Sequence, residues 1–314
     1  MSADSAGSRP GPGREIVNAS APTDPGSTRE LGLRIASGVV MAALAIGAAV
    51  AGGWPFVLFW AAAALGVFWE WTAIVANGPL PARVSGAAAL VIAALAVGVG
   101  QDYPAFLVIV FGAPMVASSC ASRHVVWDDG KKKWVGGKPW WTALAWGAAG
   151  MIYAGAVLLA PVLLRRDPEF GLAALLFLFA IVWATDILGF FIGRAVGGPK
   201  LAPSISPKKT WSGACGGALG ALAAGAAVVY VAGNVALIPA ACVALLLSIM
   251  SQAGDLFEST VKRRFGVKDA SHVIPGHGGL MDRLDGFIVA AGTAALIGLA
   301  RAGPDASARG LLLW

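Results

Sequence analysis

The sequence predicts an all-α protein that crosses a membrane about nine times. Three observations predict this fold class. The 314 residues are 57% hydrophobic and only 13% charged, whereas a soluble domain carries about 25% charged residues. The mean hydropathy is +0.74, in agreement with that deficit. Apolar runs long enough to cross about 30 Å of hydrocarbon recur along most of the chain.

The chain begins with a tail, residues 1–29, that is rich in Pro, Gly, Ser and Ala. Such a composition cannot bury enough apolar surface to fold, so we predict that the tail is disordered. The tail also lacks the apolar core of a secretory signal, so we predict that it is not cleaved. The apolar runs after it predict helices at residues 31–52, 54–76, 83–100, 103–121, 140–164, 170–193, 211–232, 235–252 and 286–300.

These elements divide the chain into the tail and two transmembrane regions. The N-terminal region covers residues 30–139 and contains about four helices and a basic loop. The C-terminal region covers residues 140–314 and has two long loops, at residues 194–210 and 253–285. Glycines four residues apart, such as Gly189 with Gly193 and Gly213 with Gly217, predict close helix packing and are compatible with a homodimer.

The distribution of Lys and Arg predicts the orientation. With nine crossings, all but four of the 23 basic residues lie on the side that holds the tail and both long loops. The positive-inside rule makes that side cytoplasmic, so the predicted location is the cell (inner or plasma) membrane, with the N-terminus and the two loops in the cytoplasm. Membrane topology explains the net charge of +6 better than nucleic-acid binding does, and we predict no nucleic-acid partner.

The loop at 253–285 concentrates charge of both signs. Asp255 and Glu258 are three residues apart, as are Asp282 and Asp285, and that spacing places each pair on one face of a helical turn. Carboxylates brought together favour a cation, and Mg²⁺ prefers one or two carboxylates plus substrate phosphates. The charge content alone is equally compatible with a solvated, self-neutralising loop.

Two further features favour a phosphate site. The run at residues 275–279 is rich in glycine, so its backbone N–H groups could approach a phosphate, although a plain hairpin turn has the same composition. The basic side chains of both loops suit a polyanionic ligand. The candidate phosphate contacts are Lys208, Lys209, Lys262, Arg263, Lys268 and Arg283.

The same loop resembles a known family signature. The run Ser259-Thr-Val-Lys-Arg, then Lys268-Asp269, then His277-Gly-Gly-Leu-Met-Asp-Arg-Leu-Asp285, is similar to that of the phosphatidate cytidylyltransferase (CDP-diacylglycerol synthase) family. The segment Ser206-Pro-Lys-Lys-Thr-Trp and the helix that carries Asp186 also look like that family. The resemblance covers roughly residues 31–300 in architecture, with specific motifs between about 183 and 287.

The resemblance implies condensation of CTP with phosphatidic acid to CDP-diacylglycerol and pyrophosphate. It implies Mg²⁺, which some members pair with K⁺, and it makes Asp255 and Asp282 the metal ligands. We expect Asp285, Lys262, Arg283 and His277 to act with them in catalysis. The expected nucleotide-binding residues are Asp186, Ser206, Lys208, Lys209, Thr210, Arg263, Lys268, Gly278 and Gly279.

Two alternative functions are weighed against this one. A related transferase could act on a polyprenyl or other lipid phosphate, because the acyl-binding surface cannot be read from the sequence. A transporter would suit the intramembrane carboxylates of Asp186 and Glu70, but the sequence has no internal repeat and its acids gather in a surface loop. For Glu70 alone, a structural hydrogen bond is favoured slightly over a catalytic role.

Overall fold

A computed structural model describes residues 25–76, 78–121, 125–128, 133–136, 140–233, 236–271 and 278–314. Most of the predicted tail, most of the basic loop near residue 130 and His277 lie outside these residues. The helices are α1 (Pro25–Ala51), α2 (Gly53–Ala76), α3 (Leu80–Gly98), α4 (Asp102–Ala121), α5 (Trp140–Arg165), α6 (Gly171–Val196), α7 (Trp211–Val231), α8 (Leu237–Arg264), α9 (Met281–Ala302) and α10 (Ser307–Leu312).

The prediction of an all-α, polytopic membrane protein is confirmed. By length and composition, eight helices of the described chain, α2 to α9, could cross a membrane, and α1 contains the first predicted crossing. The described apolar part of α1, Ala36–Ala51, is shorter than the others. Two small hairpins, which the sequence did not predict, interrupt the helical pattern. They pair β1 (Val125–Asp128) with β2 (Lys133–Gly136), and β3 (Lys200–Ala202) with β4 (Ser206–Thr210), both antiparallel.

Aromatic side chains join the N-terminal helices to the C-terminal ones. Trp60 of α2 is buried and stacks on Phe287 of α9, with ring centroids 4.9 Å apart. Trp71 of α2 donates a 2.9 Å hydrogen bond from Nε1 to the carbonyl of Trp146 in α5. The two halves of the chain therefore share one core, in which α2 packs against both α5 and α9.

Close helix packing at the glycines spaced four residues apart is confirmed, and the structure shows that it joins α6 to α7. A Cβ added at Gly213 would lie 2.6 Å from the carbonyl oxygen of Gly189, and one added at Gly217 would lie 2.6 Å from that of Thr185. Neither distance leaves room for a side chain, so these glycines let the two backbones touch. In lipid, such van der Waals contact between backbones is what holds helices together.

The predicted ends of three helices were wrong. Helix α1 begins at Pro25, so the last residues of the predicted disordered tail are helical. Helix α8 does not end at residue 252 but continues to Arg264, and α9 starts at Met281 instead of residue 286. The charged residues after 252 lower hydropathy yet favour helix, since Glu258 and Lys262 form an i,i+4 pair and three cations occupy the last turn. Asp255 and Glu258 therefore lie on α8, while Asp282 and Asp285 lie on α9.

The chain leaves α8 through a glycine C-cap. Gly266 has φ +72°, a conformation that glycine adopts readily. Its N–H donates to the carbonyl of Arg263 at 3.2 Å, and the N–H of Val267 donates to that of Lys262 at 3.0 Å. These two bonds form a Schellman motif, which turns the chain back toward the start of α9.

Candidate active site

Three carboxylates from three helices converge at the end of the bundle where α6 and α8 finish and α9 begins, here named the site end. They are Asp186 of α6, Asp255 of α8 and Asp285 of α9. Asp186 lies within electrostatic range of Asp255, and Asp285 lies within range of both. Like charges within this range repel one another, so a positive charge beside them is stabilising.

Two glycines bring Asp255 and Asp285 together. A Cβ at Gly254 would lie 2.5 Å from the carbonyl oxygen of Asp285, and one at Gly286 would lie 2.6 Å from Oγ of Ser251. The backbones of α8 and α9 therefore cross in contact at this point. Each aspartate is the direct chain neighbour of a crossing glycine, so the backbone contact places both at the same crossing.

Polar contacts between the helices hold α6 and α7 against α8 beside these acids. Thr185, the residue before Asp186, and Ser248 of α8 are buried, and their hydroxyl groups are hydrogen-bonded to each other at 2.8 Å. Gln252 donates from Nε2 to the carbonyl of Ala214 in α7 at 3.3 Å. The positions of α6 and α7 relative to Asp255 are therefore fixed by hydrogen bonds as well as by packing.

Lys209 supplies a positive charge to the acidic cluster. It lies on β4, half-buried, and its Nζ forms an ion pair with Oδ2 of Asp255. The residue that follows it, Thr210, is buried and caps α7 by accepting the N–H of Gly213 at 3.2 Å. The β3–β4 hairpin thus fixes Lys209 over the cluster, while Thr210 has a structural role in addition to its predicted place near nucleotide.

Asp282 belongs to a second, separate network. Its Oδ1 lies 2.5 Å from Nζ of Lys262, and Lys262 also contacts Oε2 of the buried Glu258 at 2.7 Å. Oδ2 of Asp282 accepts hydrogen bonds from the N–H groups of Ala270 at 3.0 Å and Gly279 at 2.9 Å. The structure thus places Asp255 and Asp282, the predicted metal pair, in different ion-pair networks, and their joint role as ligands stays a prediction.

Glu258 contributes to the site end although it was not among the predicted site residues. Its carboxyl group is 1% exposed, and its Oε1 has no hydrogen-bond partner among the described residues. The three-residue spacing from Asp255 and the lysine four residues later were visible in the sequence, but neither indicates burial, because such i,i+4 pairs usually lie on exposed helix faces. Within the described residues, no group of three or more His, Cys, Asp or Glu side chains is placed to hold a metal ion.

The remaining predicted residues surround these networks. Arg283 is exposed on the first turn of α9 and lies within electrostatic range of Asp186. Ser206 begins β4 and is half-buried, and Gly278 has φ +80°. The other predicted phosphate contacts are exposed at the same end: Lys208, Arg263 and Lys268. The N–H of Gly279, which we predicted to approach a phosphate, is donated to Asp282 instead.

The fold and the site together define a class of protein. The helices are apolar and long enough to cross a membrane, and carboxylates and basic side chains are concentrated at one end of the bundle. This arrangement suits an integral membrane enzyme that acts on a phosphorylated substrate. Lysines can donate hydrogen bonds to phosphate oxygens, and carboxylates can bind the divalent ion that accompanies a phosphorylated substrate.

Comparison with known proteins identifies the family. The model of the cytidylyltransferase family matches residues 32–299. A phosphatidate cytidylyltransferase of Brucella abortus is 42% identical over 274 residues, which is 87% of this chain and 94% of the relative. Phosphatidate cytidylyltransferases of Haemophilus influenzae and Bacillus subtilis are 42% and 38% identical over 130 and 126 residues, each 40% of this chain. The chain belongs to the cytidylyltransferase family.

Proposed function

We propose that this protein transfers a cytidylyl group from CTP to phosphatidic acid, yielding CDP-diacylglycerol and pyrophosphate. The observation that carries the proposal is the ion pair of Lys209 with Asp255 at one end of a membrane bundle, with Asp186 and Asp285 within electrostatic range of Asp255. The full-length similarity to a protein named phosphatidate cytidylyltransferase supports the choice of lipid.

In the reaction, an oxygen of the lipid phosphate attacks the α-phosphorus of CTP. A new phosphorus–oxygen bond forms, the bond between the α-phosphorus and the oxygen bridging to the β-phosphate breaks, and pyrophosphate leaves with that oxygen. The attacking phosphate is already anionic at neutral pH, so no general base is required. The barrier is therefore mostly one of charge repulsion and alignment, which fixed cations relieve.

The donor chemistry of the acidic cluster fits Mg²⁺, because every side chain in it is a carboxylate. Asp255 and Asp285 would hold the ion, with Asp186 nearby, and when bound the ion supplies positive charge next to the triphosphate. Lys209 would then leave Asp255 and contact phosphate oxygens. That Asp282 is also a ligand and that K⁺ is a second cation stay predictions.

The second network has a different task in this proposal. Lys262 is held between Glu258 and Asp282, so it joins α8 to α9 and sets the distance between them. The exposed Arg263, Lys268 and Arg283 would attract CTP to the site end. The basic composition of this end supports a cytoplasmic location for it, where CTP is made, with the chain in the inner or plasma membrane.

A direct assay tests the proposal. Purified protein in detergent micelles is supplied with CTP, Mg²⁺ and phosphatidic acid, and both CDP-diacylglycerol and pyrophosphate are measured. We expect equal amounts of the two products and none when CTP, lipid or Mg²⁺ is left out. A polyprenyl phosphate in a parallel reaction separates the alternative: product from it alone would contradict phosphatidic acid as the substrate.

A further inference from the structure

Glu70 is a buried carboxylate that the proposed chemistry does not use. It lies on α2, is 3% exposed, and belongs to the half of the chain that carries none of the predicted catalytic residues. Its Oε1 accepts from Oγ of Ser271 at 2.6 Å and from the N–H of Leu280 at 2.9 Å. Its Oε2 accepts from the N–H of Met281 at 2.7 Å. Every one of these bonds goes to the connection between α8 and α9 or to the start of α9.

These bonds complete the N-terminus of α9. The first N–H groups of a helix have no partner within the helix, and here Glu70 accepts two of them from a different helix. A negative charge at this position also matches the positive end of the helix dipole. Within the same turn, Asp282 accepts the N–H of Gly279. Carboxylates of the protein thus occupy the start of the helix that carries Asp282 and Asp285.

The packing around Glu70 is close enough to transmit its position. A Cβ added at Gly279 would lie 2.8 Å from Oε2 of Glu70, and one added at Gly66, a turn earlier on α2, would lie 2.7 Å from Cδ2 of Leu280. Neither glycine tolerates a side chain without movement of its neighbours. The start of α9 is therefore held against α2 by contact as well as by hydrogen bonds.

We propose that Glu70 is a positioning residue, which fixes the height and rotation of the first turn of α9 and thereby the placement of Asp282 and Asp285 opposite α8. It touches neither substrate nor reacting atoms, and the inference rests on the proposed function of those aspartates. The physical reason for an effect at this distance is that misplacing a reacting group by about 1 Å can lower a rate by about a hundredfold.

The chain offers a matched control at the other end of the bundle. Asp167 is 1% exposed, its Oδ1 accepts the N–H groups of Glu169 at 2.9 Å and Phe170 at 3.0 Å, and its Oδ2 lies 3.3 Å from Nε of Arg309. It therefore holds the start of α6 in the way that Glu70 holds the start of α9. Glu70→Gln and Asp167→Asn each keep the shape of the side chain and remove one buried charge. Each also puts an amide NH2 group in place of a carboxylate oxygen that accepted a hydrogen bond.

Two measurements on the purified, full-length variants test the proposal. The first is hydrogen–deuterium exchange of the backbone amides, read on peptides that cover the starts of α9 and α6. We expect Glu70→Gln to speed exchange at Leu280 and Met281, and Asp167→Asn to speed it at Glu169 and Phe170. The second is kcat together with the Mg²⁺ concentration that gives half-maximal rate. We expect Glu70→Gln to lower kcat by about tenfold to a hundredfold and to raise that concentration, and Asp167→Asn to change neither.

The Mg²⁺ dependence separates positioning from stability, because it does not depend on how many molecules are folded. If Glu70→Gln and Asp167→Asn lower the melting temperature equally and both keep the wild-type Mg²⁺ dependence, Glu70 only stabilises the fold and the proposal is wrong. Should Glu70→Gln fail to fold, the wild type still decides, since rapid exchange at Leu280 and Met281 would contradict the capping. An inactive wild type would refute the proposed function instead, so the two failures are distinguishable.

Discussion

The two ends of the helix bundle differ in how their charged side chains are paired. At the end away from the site, Arg166 pairs with Asp102 and donates to the carbonyl of Val97 at 2.7 Å, and Arg165 donates to that of Ala49 at 2.6 Å. Each of these charges has an opposite charge or a helix carbonyl as its partner. At the site end, Asp186, Asp255 and Asp285 lie within range of one another. Each charge named at the opposite end has its own partner, whereas at the site end three carboxylates lie around the ion pair of Lys209 with Asp255, which leaves negative charge that a ligand can neutralise.

The largest expected effect is on catalysis at the site end. We expect Asp285→Asn to lower kcat by about a hundredfold to a thousandfold, the size of effect seen when one preorganised electrostatic group is removed. The measurement is the initial rate of CDP-diacylglycerol formation at saturating substrates. Asp305→Asn, which neutralises an exposed acid at the opposite end, is the control. Equal rates in the two variants would mean that the acidic cluster is not the site.

The second effect is on stability within the site end. Lys262→Met leaves Glu258 and Asp282 without their shared cation, and breaking such a buried ion pair typically costs about 3–5 kcal/mol. We expect a fall of that order in the free energy of unfolding, measured by titration with SDS. Adding Glu258→Gln removes one of the two carboxyl groups left without a cation and is expected to restore part of the loss. A double variant as unstable as the single one would show that the pairing of charges is not the cause.

The smallest expected effect is at the opposite end. Asp102→Asn breaks the ion pair with Arg166. The side chain of Asp102 is 17% exposed and that of Arg166 is 22% exposed. We expect a loss of roughly 1 kcal/mol in stability, the upper part of the range for partly exposed pairs, and no change in kcat. The same SDS titration and rate assay check both expectations. A lower kcat with normal folding would show that this end also serves the reaction, and the contrast between the ends would be lost.

The sequence was sufficient for the membrane fold, because hydropathy depends on local composition. Nearly all helix positions follow from hydropathy, and glycines four residues apart predicted close packing, although not that α6 packs on α7. The extension of α8 to Arg264 was missed, since a hydropathy window ends a membrane helix where charge begins even when the residues favour helix.

The pairing of side chains could not be read from the sequence for a different reason. Asp282 and Asp255 carry the same charge and lie in equally charged segments, yet one joins Lys262 and the other Lys209. That difference depends on how α8 crosses α9 and on where the β3–β4 hairpin places Lys209. Glu70 lies 210 positions before Leu280, to which it is hydrogen-bonded. No periodic pattern connects residues so distant, although its structural role agrees with the slight preference stated from the sequence.

Asp255 is proposed to help hold a divalent ion with the nucleotide, and calorimetry of CTP binding tests this role most directly. CTP is titrated into wild type, Asp255→Asn and Asp305→Asn, once with Mn²⁺ in place of Mg²⁺ and once in EDTA. We expect Mn²⁺ to tighten CTP binding to the wild type and to Asp305→Asn, and the gain to shrink by about tenfold or more in Asp255→Asn. If Asp255→Asn keeps the full gain from Mn²⁺, the carboxylates at the end of α8 do not hold the ion and the account is contradicted.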